Sequence, residues 1–95
     1  MLFVLYCKDK PAATGVRADN RPAHVGFLQS WGDAVSLAGP LLSDDGETMI
    51  GSLILLDVPD RASAERFISE DPYGHAELFE SVTLHPFKQV LRQAT

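Results

Sequence analysis

Apolar and polar positions along this chain alternate between strand-like and helix-like spacing, and the changes of period mark out its elements. Leu2-Phe3-Val4-Leu5-Tyr6-Cys7 is a run of aliphatic, β-branched and aromatic residues ended by Lys8, Asp9, Lys10 and Pro11, as expected of a buried first strand. Residues 9–20 read as a loop. Asp19 or Asn20 then caps a helix whose first turn holds Pro22, where a missing N–H costs nothing. Its inner face carries Val25, Leu28 and Val35, with Phe27 and Trp31 close by. A second strand is expected over Val35 to Leu42, with Gly39-Pro40 marking a bulge or an edge. Asp44-Asp45-Gly46 is a turn into a third strand, Met49 to Val58, whose centre Leu53-Ile54-Leu55-Leu56 is apolar without alternation and so should be buried on both faces. Asp60 caps a second helix through Glu70, with Ala64, Phe67 and Ile68 at core-facing spacing. Pro72 stops or restarts it, with a short helical turn through Phe79. From Ser81 to about Val90 the pattern is again that of a strand, Val82 and Leu84 alternating with Thr83 and His85.

The order β-α-β-β-α-β is that of the α+β, ferredoxin-like split βαβ arrangement: an antiparallel sheet with two helices on one face. No repeat or linker divides the chain, so residues 1–95 are expected to form a single domain. Two helices cover one face of a sheet, yet strands one and three are apolar on both. A second copy of the chain is the expected cover, giving a homodimer packed through the sheet face.

Composition narrows the partners. Hydrophobic residues make up 45% of the chain and charged residues 22%, a globular balance. A lone 95-residue unit buries only about 60 to 65% of its unfolded surface, which also favours assembly. Thirteen acidic against eight basic residues give a net charge of -5, with the basic residues scattered, so nucleic acid is not an expected partner. One cysteine makes no intrachain disulfide, and the apolar start is too short for a signal peptide or a membrane span. The expected setting is a reducing cytoplasm, away from membranes.

Candidate chemistry lies in two short segments, Arg21-Pro22-Ala23-His24 and Glu70-Asp71-Pro72-Tyr73, each built to start a helix while presenting one titratable side chain. A carboxylate that holds a histidine fixes its tautomer and raises the basicity of the other ring nitrogen, the smallest constellation that moves protons near neutral pH. Each residue also has a structural reading. His24 could pack at the rim of the sheet, and an aspartate before proline is an ordinary helix N-cap. No glycine loop precedes a helix, so nucleotide cofactors are not expected. A zinc reading would rest on Asp71 and His75 alone, so neither metal nor cofactor is assigned. Cys7 reads as core, His75 and His85 as solvent-facing or interface residues, and Tyr73 as either a pocket residue or packing beneath the second helix.

Arg21-Pro-x-His24, Gly39-Pro40, Gly46, Gly51-Ser52, Asp71-Pro72-Tyr73 and Pro86-Phe87 occur in an order and spacing that resembles the YciI-like (YCII-related) family of the dimeric α+β barrel class. The resemblance covers nearly the whole chain. It implies a pocket with a catalytic pair at His24 and Asp71 and with Arg21 and Ser52 as substrate-binding neighbours; Tyr73 is carried beside them as a further substrate-binding candidate. The family includes a dehydrochlorinase acting on a chlorinated hydroxyaromatic ring. This chain departs from some members in a longer segment from Pro11 to Arg17, which carries no obvious catalytic group.

Three functions compete. The first is a cofactor-free enzyme, lyase- or dehydrochlorinase-like, carrying out elimination, isomerisation or hydrolysis on a small oxygenated or aromatic molecule. His24 would be its base or acid, Asp71 the orienting partner, Arg21 a clamp for an anionic group and Ser52 a donor to developing charge. The second is a non-catalytic dimeric module that binds a small-molecule ligand in the same cavity. The third, a cofactor-independent oxygenase, rests on fold analogy alone.

Overall fold

In the computed structural model residues 1–92 are described, so the last three positions of the unit expected over 1–95 lie outside the described residues. The elements are β1 (Leu2–Asp9), α1 (Thr14–Trp31), β2 (Val35–Leu42), β3 (Met49–Asp57), α2 (Arg61–Glu70), α3 (Pro72–His75) and β4 (Phe79–Phe87). The sheet runs β2-β3-β1-β4 with every neighbouring pair antiparallel, which is the ferredoxin-like arrangement. Pro40 lies on edge strand β2, where its missing N–H costs no ladder bond on the open side.

Period-two alternation places Phe3, Leu5 and Cys7 of β1 beside Ile54 and Leu56 of β3 on the helix-covered face. Ala64 and Phe67 of α2 close over them, and Phe27, Leu28 and Trp31 of α1 pack at the margin. Asp60 caps α2 by accepting the Ser63 N–H at 2.9 Å.

The largest departure from expectation is the start of α1. Residues 9–20 are not a loop, because the helix begins at Thr14 and Pro22 is inside it. An interior proline loses a hydrogen bond and crowds the preceding turn, at about 3 kcal/mol. Tertiary anchors outweigh that cost: Ala13 is buried against Tyr73 and Leu78, the Arg17 N–H reaches the Ala13 carbonyl at 3.0 Å, and the Arg17 side chain is drawn inward. The inner stripe of α1 runs through Arg17, His24, Phe27, Leu28 and Trp31, while Val25 is exposed. That stripe is polar in its N-terminal half and apolar in its C-terminal half.

The end of the chain also differs. The helical turn after Pro72 stops at His75, Glu77 turns the chain at φ 57°, and β4 already begins at Phe79. It ends at Phe87 rather than near Val90, because Phe87 pairs with Leu2 and β1 offers nothing beyond it. The centre of β3 is not buried on both faces within one chain. Ile54 and Leu56 are enclosed by the helices, whereas Leu53 and Leu55 are only half-buried on the open face.

Candidate active site

The site forms where the polar half of α1 crosses the sheet. His24 projects from α1 toward the junction of α2 and α3, where its Nδ1 lies 2.8 Å from Asp71 Oδ1. Both side chains are less than a tenth exposed. Asp71 is fixed from several directions. Its N–H closes α2 on the Phe67 carbonyl at 3.1 Å, and the same Oδ1 that meets His24 accepts the Tyr73 N–H at 3.0 Å and caps α3. Helix cap and histidine partner are therefore one oxygen atom. An ionised carboxylate only accepts, so the Nδ1–H donates in this pair and Nε2 is the ring nitrogen that Asp71 leaves unengaged.

Tyr73 is the flat wall beside the pair. Its ring stacks on His24 with centroids 3.9 Å apart and planes 17° from parallel, and the Arg17 guanidinium carbon lies 4.7 Å from the same ring's centre. Burial pushes the Tyr73 phenol above its ordinary value against the pull of Arg17 and Arg21, so the hydroxyl stays protonated at neutral pH.

Arg17 and Asp9 are the site residues that the sequence reading missed. Arg17 Nε meets Asp9 Oδ2 at 2.7 Å and Nη2 meets Asp9 Oδ1 at 2.9 Å, a bidentate pair with both side chains about 95% enclosed. Nη2 also donates to Ser52 Oγ at 2.9 Å. Burial opposes the guanidinium's charge, but the Asp9 hydrogen bond and charge more than offset it, and ionisation is held above the ordinary value. The segment Pro11 to Arg17, read as carrying no obvious catalytic group, delivers a buried cation to the site. Two signals were available. Alternation continued past Cys7 puts Asp9 on the buried face of β1, where a carboxylate requires a partner, and Arg17 stands two helical turns before His24 on one helix face.

Arg17, Arg21, His24, Ser52 and Tyr73 line a cavity of about 160 Å³ closed by Leu28, Met49, Ile54 and the edge strand at Ala38 to Pro40. Met49 reaches it because the β2–β3 register slips between Leu41 and Leu42. Ile50 is left without a β2 partner, and Met49 turns to the helix-covered face. All five residues singled out from the sequence are therefore brought together, with Asp71 behind His24 and Arg21 exposed at the mouth. A larger hollow of about 700 Å³, beside Tyr6, Lys8 and Ile50, includes neither His24 nor Asp71.

The other candidates stand apart. Cys7 is buried and its thiol is pushed up to about 12, by burial first and then by the Asp71 charge, so it is not a nucleophile at neutral pH. His75 is exposed and its Nε2 lies 2.8 Å from the Ser69 carbonyl rather than beside Asp71. His85 is on the open face of β4. Among the described residues no group of three or more His, Cys, Asp or Glu side chains is placed to hold a metal ion, and no helix is long and apolar enough to cross a membrane.

Comparison with known proteins bears on the family and the fold. Protein YciI of Escherichia coli O6:H1 is 33% identical over 97 residues, covering 95% of this chain and 99% of the relative. Protein YciI of Shigella flexneri matches to the same extent. Among solved structures, 5-chloro-2-hydroxyhydroquinone dehydrochlorinase (TftG) from Burkholderia phenoliruptrix AC1100, in complex with 2,5-dihydroxybenzoquinone, superposes with a TM-score of 0.85 at 30% identity, over 93% of this chain and 94% of that one. An antibiotic biosynthesis monooxygenase superposes with a TM-score of 0.59 at 13% identity, over 96% of this chain and 100% of that one, a likeness of fold alone. The YCII-related domain model matches residues 1–88, and the chain belongs to the YCII-related family.

Proposed function

We propose that this protein is a cofactor-free enzyme that moves a proton on a small oxygenated ring compound, with His24 Nε2 as base or acid and Asp71 as its orienting partner. The observation that carries this is the buried 2.8 Å contact between His24 Nδ1 and Asp71 Oδ1 at the wall of a cavity. With Nδ1–H committed to the carboxylate, Nε2 is the atom left to take a proton, and the carboxylate stabilises the imidazolium that results. About 160 Å³ is the size of an engineered cavity that admits benzene, so one six-membered ring fits. The dehydrochlorinase with the same fold points to elimination as the reaction type. One ring hydroxyl proton moves to the chlorine-bearing carbon to give a keto tautomer; the base then removes a second hydroxyl proton, the electron pair it leaves forms a carbonyl as the ring double bond shifts, and chloride departs with its bonding pair, so that HCl is lost and a quinone forms. Turnover of chlorinated hydroquinones, followed by chloride release, tests the reading. His24→Gln should lower the rate by roughly 10² to 10⁴-fold. Unchanged turnover in that variant would remove His24 from the mechanism.

We also infer that the working form is a homodimer. The open sheet face carries Tyr6, Leu37, Ile50 and Phe87, all more than two-fifths exposed, around half-buried Val4, Leu53 and Leu55. An apolar sheet face of this extent calls for a cover, and a second copy supplies one of matching character. Sedimentation should give twice the 10.4 kDa chain mass, and Leu53→Glu should shift it to the monomer. A wild-type monomer at micromolar concentration would contradict the assignment.

A further inference from the structure

Three hollows meet at the end of the sheet where β2 turns into β3. They are the cavity of about 160 Å³ beside His24, a groove of about 500 Å³ between α1 and the β2–β3 hairpin, and the hollow of about 700 Å³ beside Tyr6 and Ile50. Met49 is the one residue that borders all three, and it alone is shared by the cavity and the largest hollow. The register slip between Leu41 and Leu42 puts it there, and bulges beside a site commonly re-aim a side chain in this way.

The other walls of the cavity are fixed. His24 is stacked on Tyr73 and bonded to Asp71, Arg17 is tied to Asp9 and Ser52, and Ile54 is 1% exposed within the core. Ala38 to Pro40 is strand backbone in register with β3. The hairpin is braced as well. The Ser43 N–H donates to the Thr48 carbonyl at 2.8 Å, the Thr48 N–H to Ser43 Oγ at 3.1 Å and the Glu47 N–H to Asp45 Oδ1 at 2.9 Å. What can yield is the Met49 side chain itself, half-buried, unbranched and free to turn about three bonds. Cavity and groove share Arg17, which is held, Arg21, which is exposed and solvated, and Met49, which is the apolar part of the boundary.

We infer that Met49 is the specificity-determining residue of this site: its thioether side chain closes the cavity off from the groove and so limits the ligand to one six-membered ring. Removing Cγ, Sδ and Cε would join the two spaces and let a second, fused ring lie along the groove. Discrimination then comes from a clash in the wild type rather than from an added attraction. The inference rests on the cavity being the ligand site, as proposed above, and on no step of catalysis there.

Isothermal titration under nitrogen at pH 7 tests this with two uncharged probes, hydroquinone and 2,6-dihydroxynaphthalene, which differ by one fused ring. Wild type should favour hydroquinone by about 10-fold or more. Met49→Ala should bind the naphthalene about 10-fold or more tighter than wild type does, the gain from burying the second ring, and hydroquinone within about threefold of wild type. Met49→Leu, close in volume, should keep the wild-type order. Should Met49→Ala not fold by circular dichroism, Met49→Val, which shortens the side chain and suits a strand, decides on the same ratio. The inference is overturned by a wild type that binds neither probe at millimolar concentration or takes up both alike, by a folded shortened variant with the wild-type preference, or by a switch of preference that follows Arg21→Ala instead. Chloride release from chlorinated hydroquinones separates this from the catalytic reading. A wild type that keeps the ring-size preference without any turnover removes the reaction and leaves the role of Met49 standing.

Discussion

Breaking one side of the Asp9–Arg17 pair should be among the most damaging polar substitutions in this protein. Arg17→Gln leaves a carboxylate 6% exposed with no cation, and Asp9→Asn leaves a guanidinium 5% exposed held only by neutral partners. Removing one member of a buried pair typically costs about 3 to 5 kcal/mol, because the survivor stays desolvated and uncompensated. For a domain of this length each kcal/mol is about 4 to 8 °C in Tm, so the melting point should fall on the order of 20 °C. The Lys8–Glu80 pair is the internal control. At 3.7 Å and with each side chain at least half exposed, it should contribute less than about 1 kcal/mol. Urea unfolding at fixed protein concentration, run as a double-mutant cycle, supplies the number. The double variant should lose less than the two single losses combined, and the coupling should survive 1 M salt, because enclosed charges are poorly screened. Single losses below about 1 kcal/mol, or losses that simply add, would refute the view of Asp9 and Arg17 as one desolvated unit.

Three further outcomes are expected. Gly51→Ala should destabilise by about 1 to 3 kcal/mol in denaturant unfolding, because an added Cβ runs into the backbone oxygen of Cys7 and neither strand can give way cheaply; an unchanged midpoint would contradict the packing of β1 on β3. Stability should fall as pH rises from about 9 toward about 12, since the unfolded thiol of Cys7 ionises from its ordinary 9.0 while the folded thiol waits until about 12, and the raised Tyr73 phenol acts in the same direction. Unfolding across pH 8 to 11 should show a shallower decline in Cys7→Ala, and an identical slope would place the thiol elsewhere. Pro22→Ala should raise Tm, by up to about 3 kcal/mol of stability, because Pro22 is inside α1; a helix that started at Asn20 would gain nothing.

Short-range physics was legible in the residues alone. Asp60 before a helix, proline after Asp71, the turn at Asp44-Asp45-Gly46 and the alternation in β1 depend on neighbours within a few positions, and the element order followed from them. His24 and Asp71 stood out for the same reason, each beside a proline at a helix start, and the resemblance to the YCII-related family joined them. The start of α1 was not legible, since Ala13-Thr14-Gly15 has no capping hydrogen bond and Pro22 has the local look of a first turn. Its true start is set by a buried alanine against Tyr73 and Leu78 and by an arginine drawn to β1. For the same reason the sequence marked Arg21, adjacent to the motif, and gave no sign that Arg17 is buried against Asp9 and Ser52. Helix period and strand period say which face a residue occupies, but only the docking of α1 on the sheet decided which of two arginines met Asp9 and Ser52. Ion pairs and cavities are properties of the docked faces, and no local pattern encodes the angle at which they meet.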